Sequence, residues 1–333
     1  MGRYVVRRTA RLLGTIIVLT GLMLPLCATA QRPMQGRRIA FLGFGPPPSA
    51  TAPHPIAEAF RHALQAHGWV EGQNLTIEWR WTEGDLDQFA TLVAEVIRLP
   101  VEVIVVPNTT TAVIAHKATS TIPIVVIGGG NLATNPLIAS LARPGGNVTG
   151  VATLGPEASP KLLELLKQAL PEVTRITVLR GLAPNTQEWL ALERIAPALG
   201  VGLHLVEVRE PTAFDSAFAT MTRMQAEALL VLGDPFLYRQ RIADLAAQHQ
   251  LPSICRRRAF VEAGCLMSYA PSERDQGRQV AAYVDKILRG AWPGDLPVEQ
   301  SMRFEFVINL KTAQALGLTL PPMVLFQVDE IIR

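Results

Sequence analysis

The spacings by which a sequence announces catalysis are missing here. The chain has no G-x-S-x-G turn, no H-E-x-x-H pair and no C-x-x-C. His62 and His67 lie five residues apart, off a shared helix face, and read as solvated side chains, not metal ligands. Gly43-Phe44-Gly45 resembles the start of a dinucleotide loop. Pro46, Pro47 and Pro48 follow it and offer no N–H to a pyrophosphate. No acidic residue ends a second strand at the required distance of about 20 residues. No cofactor and no metal site is expected.

An excess of positive charge is also missing once the first thirty residues are set aside. The formal net charge is +3, but Arg3, Arg7, Arg8 and Arg11 lie in residues 1–30 with no acid among them. The rest carries 31 − 4 = 27 Lys and Arg against 28 Asp and Glu, a balance of −1. Nucleic-acid binding needs a wide basic footprint, so no nucleic-acid partner is expected. Arg256-Arg257-Arg258 is the one later basic run and reads as a solvated loop. Charged residues make up 18% and hydrophobic ones 49%, the balance of a globular chain, and 333 residues suffice for two domains.

The basic start leads into an apolar run, Leu12 to Leu26, and then Ala28-Thr29-Ala30, an A-x-A cleavage site before Gln31. The run is too short and too broken by Gly and Pro for a membrane span. Two alternatives compete with ordinary secretion. Cys27 could carry a lipid, but Leu26 is large where a small residue should precede it. Arg7-Arg8 could belong to a twin-arginine signal, but Ala10-Arg11 lacks the apolar pair that should follow. The reading is a cleaved signal peptide over 1–30 and a soluble periplasmic protein. Only Cys255 and Cys265 then remain. Cys255 ends one apparent strand and Cys265 begins the next. In parallel strands the two would sit at opposite ends, beyond the roughly 7 Å Cα separation a disulfide tolerates.

Beyond the leader, strands and helices alternate. Arg38–Gly43, Val101–Val106 and Pro123–Ile127 are short apolar runs of the kind buried in parallel sheets, and Leu75–Trp81 alternates as a strand. Ile56, Phe60 and Leu64 recur at helical spacing before Gly68. Asp85 with Gln88 has capping-box spacing ahead of a second helix, and Thr110–Ala118 is a third. The rhythm restarts after Gly150. Ser159-Pro160 reads as a helix start. Strands are expected at 176–179, 203–208, 228–232 and, broken by a short helix, 254–269. Helices are expected at 189–199, 214–224 and 242–249. A long helix from Ser272 to Arg289, a Pro/Gly connector, a strand at 304–308 and a helix at 310–316 complete the chain. This pattern predicts an α/β fold of two doubly wound parallel-sheet lobes. In the stretch NPLIASLARPGGNVTG, Asn135 to Leu141 reads as a short helix and the glycines as the turn into a strand crossing between lobes.

Ligands of open α/β sheets bind just beyond the carboxyl ends of strands. In the first half those positions hold Ser49, then Asn108, Thr109, Thr110 and Thr111, then Gly128 to Asn131, including Gly129. The threonines open a helix whose hydroxyls, free N–H groups and dipole suit a carboxylate; the plainer reading is a helix cap. In the second half they hold Asn185, Asp234 with Phe236, and Ser268-Tyr269. Asp234 either accepts a ligand ammonium or caps a helix. Tyr269 either stacks on a ligand or fills the seam.

Longer stretches carry a resemblance. They are Ser120–Val125, Ser140–Gly150, Leu266–Tyr269, Ala282–Gly290, Asp295–Gln300 and Ile308–Ala313. In that order they resemble the ABC-transporter substrate-binding protein family that includes tryptophan-binding-type lipoproteins. The resemblance implies a type I periplasmic-binding-protein fold, with two lobes joined by a three-segment hinge. Residues 31–150 with 271–303 would form one lobe, and 151–270 with 304–333 the other. It implies a monomer that captures a small polar solute, an amino acid or related carboxylate, and delivers it to an inner-membrane ABC permease. The chain departs from the family pattern at Asn135 (usually Asp), Cys265 (usually Gly) and Ala270 (usually Gly). A ligand-sensing module for a membrane signalling partner and a secreted α/β enzyme are the competing classes.

Overall fold

Strand β1 (Arg37–Phe44) shows how the first layer is built. Ile39 and Phe41 bury themselves in one apolar cluster, and Ala40 and Leu42 in another on the opposite face. A strand buried on both faces needs helices above and below the sheet. The computed structural model describes residues 36–49, 54–130, 132–153, 158–181, 186–208, 210–232 and 238–333. The expected signal peptide and Cys27 lie outside the described residues.

The first sheet joins β1, β2 (Leu75–Thr82), β3 (Val103–Val106), β4 (Ile124–Val126), β5 (Val148–Ala152) and a two-residue β11 (Glu299–Gln300). Their order is β11-β5-β4-β3-β1-β2, all parallel. One face is covered by α1 (Pro55–Ala66) and α9 (Glu273–Leu288). The other is covered by α2 (Leu86–Val96) and α3 (Thr109–Ala118). The two helices α1 and α9 approach closely because Gly277 has no side chain. A Cβ there would lie 2.9 Å from the Ala59 Cβ and 3.0 Å from the Phe60 nitrogen. Asp85 caps α2 as its spacing predicts, but the Gln88 side chain reaches the Glu83 N–H instead of closing the box.

The second sheet joins β6 (Arg175–Arg180), β7 (Gly202–Glu207), β8 (Ala228–Leu232), β9 (Ser253–Cys255), β10 (Met267–Pro271), β12 (Phe304–Asn309) and β13 (Glu330–Ile332). Their order is β13-β12-β10-β9-β8-β6-β7, and only the β10–β12 pair is antiparallel. Residues of α4 (Ala158–Ala169), α5 (Thr186–Ile195), α10 (Leu310–Ala315) and α11 (Pro322–Leu325) pack on one face. Those of α6 (Phe214–Arg223), α7 (Arg239–Gln248) and α8 (Arg258–Glu262) pack on the other. Helix α4 starts at Ala158, so Ser159 lies inside its first turn and not at the cap.

The chain passes between the sheets after β5, from β10 into α9, and from β11 into β12. Each passage leaves a strand's carboxyl end. Phe304, which opens β12, pairs with Pro271 at the end of β10. The Ser272 amide donates to the Arg303 carbonyl at 2.9 Å, its hydroxyl to Glu305 at 2.6 Å, and the Ser301 amide to the Ala152 carbonyl at 2.8 Å. The first two bonds hold the last two passages side by side, and the third ties the last passage to the end of β5.

Three local expectations change. Residues 135–141 form turns, not a helix. A single 3-10 turn spans Leu132–Thr134, and the Asn135 side chain accepts the Leu137 N–H at 3.1 Å. The glycines after Pro144 are not crossing geometry. They precede the amino end of β5, where the Gly145 N–H donates to the Gly294 carbonyl at 3.0 Å. A side chain on Gly294 would come within 2.9 Å of that backbone. The crossing lies at the other end of β5. Finally, β9 is only three residues long, so its ends are close together. The Cys255 and Cys265 sulfurs lie 3.3 Å apart, not at opposite ends of a sheet.

Candidate functional site

Both sheets share the strand order second-first-third-fourth-fifth, which reverses between β1 and β3 and between β6 and β8. In open α/β sheets ligands bind beyond the carboxyl ends of the strands at such a reversal. In the first sheet the described residues at that end follow β1, β3, β4 and β5.

Asn108 follows β3 and is the N-cap of α3. Its Oδ1 accepts the Thr111 N–H at 3.0 Å, and the Thr111 hydroxyl accepts the Asn108 N–H at 3.1 Å, a reciprocal box. The Asn108 carbonyl takes the Ala112 N–H. Thr109 and Thr110 therefore hold the two first-turn amides that this box does not engage. Thr110 is exposed. The Thr109 side chain is buried, and its hydroxyl has no hydrogen-bond partner among the described residues. A buried hydroxyl left unpaired costs free energy unless a ligand or water meets it.

The loop after β4 lies against that hydroxyl. Gly128 and Gly129 donate to the Pro107 and Val151 carbonyls at 3.2 and 3.0 Å, which ties the loop to the ends of β3 and β5. A Cβ on Gly129 would lie 3.0 Å from the Thr109 Oγ1 and 2.7 Å from the Leu132 Cβ, so only glycine fits. A Cβ on Gly128 would lie 3.2 Å from the Gln276 amide nitrogen and 3.4 Å from the Thr153 methyl. Thr109, Gly129, Thr153 and Gln276 thus form one small polar floor with no formal charge.

Aromatic residues gather near the carboxyl ends of β1 and β2, at the same end of the first sheet. The Trp81 indole lies across Gly43, where a Cβ would overlap its ring, so Gly43 makes room for an aromatic side chain and not for a phosphate. His54 caps α1 by accepting the Ala57 N–H at 3.2 Å, with its ring 4.8 Å from Trp81. Burial, aided by the Arg257 charge, lowers the His54 pKa to about 4, so the ring is neutral at pH 7. Arg257 follows the carboxyl end of β9. Its charge acts on His54 at the start of α1 and favours the neutral ring.

The second rim is charged. Arg180 at the end of β6 pairs with Glu207 at the end of β7, and Arg256 pairs with the buried Glu188 of α5. Arg258 pairs with Glu262 and Glu330. The basic run is therefore not a solvated loop; each of its three residues is half-buried. Burial pushes the Glu273 carboxyl above its usual range, with the Arg257 charge acting in the opposite direction.

Of the residues singled out in the sequence, Asn108, Thr109, Thr110 and Gly129 converge on the first rim. Ser49 follows β1 and is exposed. Tyr269 stacks on Phe304 at 5.1 Å between centroids and packs on the second sheet's core. Asn131, Asn185, Asp234 and Phe236 lie outside the described residues. Sequence reasoning missed Thr153, Gln276, His54 and Trp81. Gln276 carries a legible signal: it falls on the α9 face of Val280, Tyr283, Val284 and Ile287, a polar residue at a buried position. Among the described residues, no cluster of three or more His, Cys, Asp or Glu could hold a metal, and no helix is long and apolar enough to cross a membrane.

The sequence profile of ABC transporter substrate binding proteins matches residues 49–332. A tyrosine-binding protein of Clostridioides difficile is 23% identical over 269 residues, spanning 78% of this chain and 76% of that protein. Among solved structures, an ABC domain from Streptococcus pneumonia in complex with L-Trp superposes with a TM-score of 0.78 at 25% identity. It spans 89% of this chain and 100% of that one. A conserved domain protein from Vibrio cholerae superposes with a TM-score of 0.77 at 25% identity, over 89% and 100% of the two chains.

Proposed function

Because the chain belongs to the ABC transporter substrate binding protein family, a family of binding proteins and not of enzymes, we propose that it captures an amino acid between its two rims and delivers it to an ABC permease. The observation that carries the ligand class is the buried, unpartnered Thr109 hydroxyl at the amino end of α3. Together with the Thr109 and Thr110 amides and the α3 dipole it offers a neutral cradle for a carboxylate, while Gly129 lets the loop after β4 pack against that hydroxyl. Trp81 and His54 supply an apolar wall beside it. The tryptophan and tyrosine named for the two relatives above favour an aromatic amino acid. Asp234 and Phe236, outside the described residues, are assigned to the ammonium and side-chain end of the ligand.

Closure of the two lobes on the ligand is part of the same proposal, and the three chain passages between the sheets support it. The lobes are assigned as 31–150 with 271–303 and 151–270 with 304–333, so the three passages serve as the hinge and ligand holds the lobes together. The leader of residues 1–30 sends a monomer to the periplasm. A thermal-shift series on the chain from Gln31 tests the reading. L-tryptophan or L-tyrosine at about a hundred times its dissociation constant adds about 2.7 kcal/mol of stability, and the matching decarboxylated amine adds none. X-ray scattering should show the radius of gyration fall with the same ligand. An equal shift with tryptamine and L-tryptophan would remove the carboxylate cradle; no shift with any amino acid would remove the ligand class.

A further inference from the structure

Cys255 and Cys265 are the only cysteines among the described residues, and both are fully buried on the face of the second sheet covered by α6, α7 and α8. Cys255 ends β9. Cys265 enters the adjacent parallel strand β10, whose Met267 pairs with Ile254. The Cys255 thiol donates to the Cys265 sulfur at 3.3 Å. A disulfide needs the sulfurs at about 2 Å, so closure asks the two sulfurs to approach by about 1.3 Å. The chemistry around the sulfurs is asymmetric. Burial pushes the Cys255 thiol up, whereas the hydrogen bond from Cys255, helped by the Ser253 hydroxyl, holds Cys265 down. No histidine, carboxylate or third cysteine joins them in a metal-binding group among the described residues.

We infer that Cys255 and Cys265 form a structural disulfide when the chain folds under oxidising conditions. The oxidant is a disulfide, either small (oxidised glutathione) or borne by an oxidoreductase. One cysteine thiolate attacks it, forming a mixed disulfide and expelling one thiolate. The second cysteine thiolate then attacks the first cysteine's sulfur, forming the Sγ–Sγ bond and expelling the other. Two electrons pass from the cysteines to the oxidant, one S–S bond breaks as one forms, and the two S–H protons end on the two released thiols. Because both sulfurs are buried, the first exchange precedes closure of the core, and folding delivers the second thiol. The staple closes the segment 256–264, which carries Arg256 against Glu188, Arg257 near His54, and α8.

The test does not depend on ligand or compartment. The full chain is unfolded, refolded in a glutathione redox buffer, alkylated and digested. The expected product is a cross-linked peptide pair containing Cys255 and Cys265, two hydrogens lighter than the reduced pair. Recovery of both residues alkylated, or of glutathione adducts at either, would overturn the inference. As a second measurement, adding reductant should lower the wild-type melting temperature by roughly 5 °C, the scale of a short closed loop. It should leave a Cys255→Ala/Cys265→Ala variant unmoved. An equal fall in both proteins would show that the staple is not the cause.

Discussion

The two sheets share a strand order but close their packing by different means. In the first, backbones come into direct contact where glycine removes a side chain: Gly150 of β5 against Val126 of β4, and Gly277 of α9 against α1. In the second, Gly200, Gly202 and Gly317 meet little or nothing, and the tight contacts are made by side chains: Arg256 on Glu188, Arg180 on Glu207, Cys255 on Cys265. The rims follow suit. The first is neutral, with threonines, glycines and an amide; the second is lined with arginine–glutamate pairs. A neutral rim with a helix amino end suits an anionic group at little desolvation cost. A rim of paired charges holds its shape by mutual neutralisation and leaves less freedom for a ligand carboxylate.

This contrast breaks most visibly at Gly150. Its φ is 137°, where L side chains rarely sit, and any Cβ would overlap the Val126 backbone. Gly150→Val should cost about 4 kcal/mol or more, enough to leave the protein unfolded or nearly so. The matched change in the second sheet, Gly202→Ala, should stay within about 0.5 kcal/mol. Chemical denaturation of both variants checks the difference, and equal losses would erase it.

The next effect sits where the rims meet. The folded-state pKa of His54 is lowered to about 4 from 6.5. Between those values the unfolded chain binds the proton and the folded one does not, so stability rises with pH across that window. The penalty is absent above pH 6.5 and complete below pH 4, at roughly 3 kcal/mol. His54→Gln should flatten this part of the melting-temperature profile relative to wild type. An unchanged slope would mean that His54 titrates normally and that the rims do not enclose it.

The smallest effects separate a half-buried pair from an exposed one within the second half. Arg256→Ala strands the buried Glu188 carboxylate and should cost about 2–3 kcal/mol, a value reduced from that of a fully buried pair because Arg256 keeps some exposure. Asp215→Ala breaks a pair whose two side chains are both more than half exposed, and should leave the melting temperature unchanged. Similar losses from both would mean that burial does not govern these pairs.

Much of the alternation was legible. Runs such as Val103–Val106 and Ala228–Leu232 are apolar throughout because they are covered on both faces, and the α1 and α9 helices show one buried stripe each. The elements that escaped are short or held from outside. Strand β11 is two residues laid beside β5, α11 is four residues behind Pro321, and β13 is three residues paired to β12. Nothing periodic can be seen in so few positions. The apolar residues of 137–141 do recur closely, but the Asn135 side chain takes the Leu137 amide and Pro136 follows it, so turns prevail over a helix.

The candidate site divides along the same line. Asn108 and the threonines declare themselves by following a strand and opening a helix, and a capping box is a local matter of three residues. That Thr109's hydroxyl is buried without a partner, that Gly129 leans on it, and that Gln276 arrives from more than a hundred residues away were decided only by the packing of separate elements. The sequence by itself determined periodicity, caps and the order of layers, because these depend on neighbours within a turn or a strand. The tertiary structure alone decided which glycines are close contacts, which arginines are paired and how near Cys255 lies to Cys265. Each depends on the short distance between segments that the chain keeps far apart.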